Sequence, residues 1–171
     1  TLNESLNRLR ERKEQLQYAQ QERLKHAYYE ISEATRGLLV RDIKRQDTFE
    51  NPQKVDFSFS DNRILVDGQT YFSASSRAIL RSAFFLGFFI AAVKNAYFRH
   101  PRFVMLDTIE DKGMEPVRSQ NFQRLVVDAV EKSATDCQVI FATAMIAPEL
   151  DSDGVVVGRS YTRELRSLNI Q

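Results

Sequence analysis

From residue 2 the apolar positions fall at Leu2, Leu6, Leu9 and Leu16, and further on at Leu24, Tyr28, Ile31, Thr35 and Leu38. Steps of three and four keep such positions on one stripe of an α-helix, and the residues between them are largely charged. The spacing predicts a helix over residues 1–39, loosened near its end by Gly37. The step of eight from Leu16 to Leu24 places Gln20 in the seam and reads as a stutter, which locally relaxes a left-handed supercoil. So narrow a stripe stabilises a polar helix poorly when it is alone, so the pattern favours a partnered coiled coil over a single solvated amphipathic helix.

A polar loop containing Pro52 follows. Val55, Phe57 and Phe59 then alternate with polar residues, and Ile64 and Val66 do so beyond a turn at Asp61-Asn62, which predicts a β-hairpin. A second turn at Asp67-Gly68 leads to YFSASSR, residues 71–77. The apolar run beyond it predicts a buried helix over 75–97, broken by Pro101 in RHPR. FVML then reads as a strand in a sheet covered on both faces, ending at Asp107. The loop TIEDKGMEP precedes a third helix, PVRSQNFQRLVVDAVEKSA, after which CQVIFATA and VVVG predict two more strands. Strands alternating with helices after the hairpin imply an α/β fold with a mostly parallel sheet.

Composition adds a division within the chain. Its 171 residues suit one domain, and 43% hydrophobic content can fill a core. Residues 1–36 are rich in Glu, Arg, Lys and Gln, whereas Phe84 to Val93 is almost purely apolar, so a globular part carries a polar arm. The net charge of +1 supplies no global basic field, and contact with DNA would need a local patch. Cys137, the one cysteine, has no partner for an internal disulfide and reads as a buried thiol in a reducing, cytoplasmic setting. Arg77, Arg81 and Lys94 interrupt the longest apolar run, which argues for a core helix and against a membrane span. The helical pattern is already running at Leu2, as expected of a piece of something longer.

Two segments carry chemistry. An apolar strand ending in Asp, FVMLD, is how many nucleotide hydrolases place one carboxylate for magnesium at the switch from sheet to loop; an ordinary strand ending in a turn-forming Asp has the same pattern. Upstream, Ser73, Ala74, Ser75 and Ser76 put small residues and unpaired N–H groups at a helix start, a ready anion site. Ser73 also suits a plain N-cap, although a cap needs one serine and the segment has three. His26 and His100 read as surface residues, and no Cys/His zinc spacing, nucleophile elbow or dinucleotide fingerprint occurs. The clustered carboxylates of a two-metal nuclease are lacking. Arg99, His100 and Arg102 read as a solvated loop.

The order of coiled coil, hairpin, serine segment at a helix start, apolar strand ending in Asp107, acidic loop, helix and apolar strand resembles the C-terminal lobe of the SMC-type ABC ATPases. That group includes the SMC and RecN proteins and the coiled-coil ATPase of the double-strand-break repair complex. The resemblance spans essentially the whole chain, with residues 1–39 as coiled coil and 40–171 as the lobe. It implies that residues 72–77 are the signature segment, in which Ser73, Ala74, Ser75 and Ser76 meet the γ-phosphate of ATP held by a second head. Ala74 and Ser75 stand where the family has two glycines. It further implies that strand 103–107 is the Walker B strand, with Asp107 holding Mg2+ through water.

The region 110–115 would supply dimer contacts through Asp111, Gly113 and Glu115. The family's catalytic glutamate follows the aspartate directly, where this chain has Thr108, so the water-polarising base falls to Glu110 or Asp111. Ala144 stands at the family's switch histidine, with Thr143 the nearest polar side chain. Arg41, Lys44 and Arg45 lie at the coil base, where the family grips DNA. No Gly-x-x-x-x-Gly-Lys-Ser/Thr loop is present, so the expected partners are an N-terminal Walker A lobe of the same protein, a second head in a homodimer, and DNA, with no membrane. The competing expectation is a non-hydrolysing, nucleotide-gated or purely structural coiled-coil interaction module.

Overall fold

A computed structural model describes residues 2–107, 109–158 and 161, and of Asp111 the backbone alone. The architecture is mixed α/β, with a long N-terminal helix and two small sheets. Helix α1 runs unbroken from Leu2 to Val40, through the Leu16–Leu24 gap and through Gly37. Residues 2–26 are all exposed, roughly 37 Å of projecting helix at 1.5 Å per residue. Burial starts at the root, where Ile31, Thr35, Leu38 and Leu39 turn one face to the domain. The predicted stripe is therefore divided: its lower part is core, and Leu2, Leu6, Leu9, Leu16 and Leu24 face solvent.

The loop around Pro52 contains a short helix, α2 (Asp47–Glu50), which drives Phe49 into the core. Strands β1 (Val55–Ser58) and β2 (Arg63–Val66) form the expected antiparallel hairpin, with Val55 opposite Val66 and Phe57 opposite Ile64. Past β2, Asp67 and Gly68 both adopt positive φ, and the Asp67 carboxylate accepts from the N–H groups of Gln53 and Lys54. That carboxylate ties both ends of the hairpin together.

Helix α3 (Ala74–Lys94) is the centre of the molecule. Ile79, Leu80, Ala83, Leu86 and Phe89 join a core with Leu38 and Leu39 of α1, Val55, Val66 and Leu106. Phe84 and Ala91 join a second cluster with Ile31 and Phe57, in which the Phe57 and Phe84 rings lie 4.9 Å apart. The helix has the length and apolarity of a membrane span, and most of that surface is covered by its own chain. It ends three residues earlier than expected. Asn95 turns extended and its side-chain amide and backbone N–H both bond to the Ala91 carbonyl, so the helix stops there and not at Pro101.

Strand β3 (Phe103–Asp107) pairs in parallel with β4 (Gln138–Ala142), in the register Phe103 to Gln138 through Asp107 to Ala142. Helix α4 (Pro116–Glu131) makes the crossover and sends Phe122, Leu125 and Val126 into the core. The expected covering of this sheet on both faces is not found among the described residues. Leu106, Val104, Val139 and Phe141 face the core, but Phe103, Met105 and Ile140 on the other face are exposed, Met105 at 67%. Nor is Val155–Gly158 the expected strand: the N–H groups of Val155 and Val156 both turn back to the Ser152 carbonyl, so neither is free for a ladder.

Helices α1 and α3 approach closely at Gly87. A Cβ there would lie 2.8 Å from the Thr35 nitrogen and 3.0 Å from its Cα, both backbone atoms that cannot swing aside. Gly87→Ala should therefore cost about 1–3 kcal/mol by overpacking. Urea unfolding checks this, and an unchanged midpoint would refute the close approach.

His100 sits against the Phe88 ring at 5.0 Å, and its Nδ1 accepts from the Arg102 N–H. Burial holds its pKa below the usual histidine value. With the folded value depressed, the unfolded chain binds the proton more readily, so this part of the stability is present above about pH 6.5 and is lost as pH falls through the folded value. Stability curves from pH 7.5 to 5 should fall more steeply for the parent than for His100→Asn, and parallel curves would contradict the burial argument.

Candidate functional site

Ser73 is the N-cap of α3, its Oγ accepting from the Ser76 N–H at 3.2 Å. The other two serines have different tasks. Ser76 is fully buried, and its hydroxyl accepts from Arg118 Nη1 and Nη2 at 3.2 and 3.3 Å. Ser75 is half-buried between the two, 3.4 Å from both Ser73 Oγ and Arg118 Nη1. The exposed rim is therefore Ser73, Ala74 and part of Ser75, whereas Ser76 is withdrawn into the protein. At this rim the N–H groups of Ala74 and Ser75, the first of the helix, have no helical acceptor.

Arg118 lies in the first turn of α4 and is 2% exposed. Its Nε and Nη2 hold Asp42, two residues beyond α1, with the Nη2 contact at 2.5 Å. The Asp42 side chain is also almost wholly buried. Removal of one member of such a buried pair strands the other charge and typically costs about 3–5 kcal/mol. Around this pair α4 and the residue before it grip the root of α1 at the surface. Arg45 bridges Glu115 at 2.7 Å, Arg41 bridges Asp128 at 2.7 Å, and Asn121 donates to the Arg41 carbonyl. Lys132 first, and Arg41 second, hold the Asp128 carboxyl below the usual carboxylate range.

Two of the three expected DNA contacts, Arg41 and Arg45, are thus ion-paired, and Lys44 makes no such pair among the described residues. The expected dimer-contact residue Glu115 is turned to the root of α1 through Arg45 and stands just before α4. Gly113 takes positive φ at the close of the 3-10 turn Ile109–Lys112, while the Asp111 side chain and Thr108 lie outside the described residues.

Asp107 ends β3 at the C-terminal edge of the parallel sheet, exposed and with no side-chain partner among the described residues. It fits the single carboxylate that a water-bridged Mg2+ needs, since that ion draws its other ligands from phosphates and water. No cluster of three or more metal-ligating side chains exists among the described residues. Glu110 has a different situation. It is 7% exposed, and its Oε1 accepts from Thr143 Oγ1 at 2.8 Å and from the Ala144 N–H at 2.6 Å. Its Oε2 is buried with no partner among the described residues. The carboxylate thus braces the loop after β4 against the loop after β3.

Gln123 completes that brace from α4. Its amide donates to Thr143 Oγ1, the Met145 carbonyl and Ser119 Oγ, and its carbonyl accepts from the Ala147 N–H. The reading of the sequence did not single out Arg118, Asp42 or Gln123. The available signal was positional: Arg118 and Ser119 stand four and three residues before the buried Phe122, so they occupy the core-facing stripe of α4.

Glu110→Ala would leave the Thr143 hydroxyl and Ala144 N–H without their acceptor and should lose about 1–3 kcal/mol in urea unfolding. Glu110→Gln keeps Oε1 and should lose distinctly less. Equal losses for both would show that the accepted bonds are not what Glu110 contributes. No protein-family model matches the chain, and no curated protein is detectably similar to it.

Proposed function

We propose that this chain is the C-terminal lobe of an SMC-type ABC ATPase head, which binds ATP with Mg2+ between two heads and drives DNA-associated work such as repair, chromosome organisation or defence. The observation that carries the reading is the β3–β4 sheet. It is parallel, ends in a carboxylate with no described partner, and is covered on one face only, with Phe103, Met105 and Ile140 bare on the other. Parallel sheets are ordinarily buried on both faces, so this one asks for further structure beside it. A lobe bearing the phosphate-cradling loop would supply both the missing cover and the nucleotide.

In this reading Asp107 holds the metal of its own head through water. Ser73 serves the γ-phosphate of ATP on the opposite head while remaining the cap of α3, because a hydroxyl that accepts from Ser76 still has its own proton to donate. The free N–H groups of Ala74 and Ser75 add to that contact. The exposed part of α1 is one strand of the coil, its bare leucines awaiting a partner strand. DNA meets the coil root at Lys44, joined by Arg41 and Arg45. Arg41 and Arg45 are each half-exposed and paired at the surface, where an ion pair is worth only about 0–1 kcal/mol and a phosphate can replace the carboxylate.

A second reading, a nucleotide-gated clamp without turnover, is favoured by one observation. Glu110 is turned inward to Thr143 and Ala144, away from any water that Asp107 would help to place.

The complete gene product decides the matter. With ATP and Mg2+ it should self-associate in light scattering, and Ser73→Arg should abolish that association while leaving ATP binding to the single head intact. Asp107→Ala should remove the Mg2+ dependence. Unimpaired association of Ser73→Arg would overturn the signature assignment, and failure of the parent to bind ATP would overturn the whole reading.

A further inference from the structure

We infer that Arg118 is a positioning residue that sets the serine rim of α3 according to where the coil root stands; the inference rests on the head reading above. The guanidinium is a rigid plane with donors on two edges. One edge, Nε and Nη2, is fixed on Asp42 at 2.5–3.1 Å. The other, Nη1 and Nη2, reaches Ser76 Oγ at 3.2–3.3 Å and Ser75 Oγ at 3.4 Å. Because the plane does not bend, the direction of Asp42 determines the direction in which the two serine hydroxyls are held.

Asp42 belongs mechanically to α1. Its N–H bonds to the Leu39 carbonyl and that of Arg41 to Leu38, so the two residues continue the last turn of the helix. Any tilt or rotation of α1 carries Asp42 with it. At the other end, Ser75 lies within 3.4 Å of Ser73 Oγ, the exposed cap. A contact path therefore runs from the coil through Asp42, Arg118 and Ser75 to the rim, and Arg118, on α4, joins the end of α1 to the mouth of α3. The inner part of the path is fixed on buried atoms, with Arg118 2% exposed, the Asp42 side chain almost wholly covered and Ser76 fully buried, so solvent cannot replace the Asp42–Arg118 and Arg118–Ser76 bonds as it can at a surface pair. Linkage requires reciprocity: if the coil biases the rim, then occupation of the rim biases the coil by the same factor.

The test uses the complete gene product and compares the parent with Arg118→Lys, Ser76→Ala and Leu125→Ala. A lysine still reaches Asp42 but, as a single point charge, cannot hold the serines at a fixed angle at the same time. Ser76→Ala removes the far anchor and leaves the Asp42 pair. Leu125→Ala removes buried apolar contact on the same helix, away from the path. ATP titrations of self-association, read beside urea midpoints, should show a roughly tenfold rise in the half-saturating ATP concentration for Arg118→Lys and Ser76→Ala, the size expected for losing one charge-assisted hydrogen bond. Leu125→Ala should lose as much stability or more with no such rise.

Titrations of Arg118→Lys and Ser76→Ala that match the parent, or an equal rise in Leu125→Ala, would overturn the positioning role and leave the head reading standing. A parent with no response to ATP would overturn both.

Discussion

A helix that is apolar around most of its circumference must be covered along most of it, and α3 imposes that requirement on the rest of the chain, with Arg77, Arg81 and Phe85 left at its exposed edge. The root of α1 covers one flank, close enough at Gly87 to exclude even a methyl group. The hairpin adds Val55, Val66 and Phe57, and β3 with α4 closes another side through Leu106, Phe122 and Leu125. Burial of a large aliphatic or aromatic side chain contributes about 1.5–3 kcal/mol. Ile79, Leu86 and Phe89 alone, each fully or almost fully buried, make α3 the element on which the others are assembled. Its N-terminus is accordingly a fixed point, and the groups at that end are held where the core puts them.

This fixed end also explains the serine segment. Three hydroxyls at one helix mouth exceed what capping needs, and the structure divides them: Ser73 caps, Ser76 anchors a buried arginine, and Ser75 spans the gap. Arg118 is possible there because Asp42 neutralises it and Ser75 and Ser76 take further donors; an unpaired guanidinium in that position would be prohibitive. The root of α1, the mouth of α3 and α4 thus meet at one buried ion pair. The rim that faces outward is correspondingly small, limited to Ser73, Ala74 and half of Ser75.

Much of this was legible in the sequence wherever periodicity was strong. The long helix, hairpin, α3, α4 and the two parallel strands all follow from spacing, and the turn at Asp67-Gly68 from its residues. Where local competition decided, the reading failed. Asn95 ended α3 by bonding to Ala91, which no apolar pattern encodes, and Val155 to Gly158, apolar enough for a strand, spent its amides on a turn. Burial of FVML on both faces was inferred from its continuous apolar run, and that inference assumes neighbours the described residues do not supply. Of the candidate site, Ser73 and Asp107 could be picked from pattern alone. The partners of Glu110, and the Asp42–Arg118 pair at a separation of 76 residues, depend on tertiary contact.

The central claim is that the bare face of the β3–β4 sheet is an internal surface of a larger head. Hydroxyl-radical footprinting of the complete gene product tests it directly at Met105, a reactive side chain at the middle of that face, with the exposed Tyr71 as an internal reference. The account predicts that Met105 is strongly protected while Tyr71 is modified freely. Oxidation of Met105 as fast as its 67% exposure in this chain implies would contradict it.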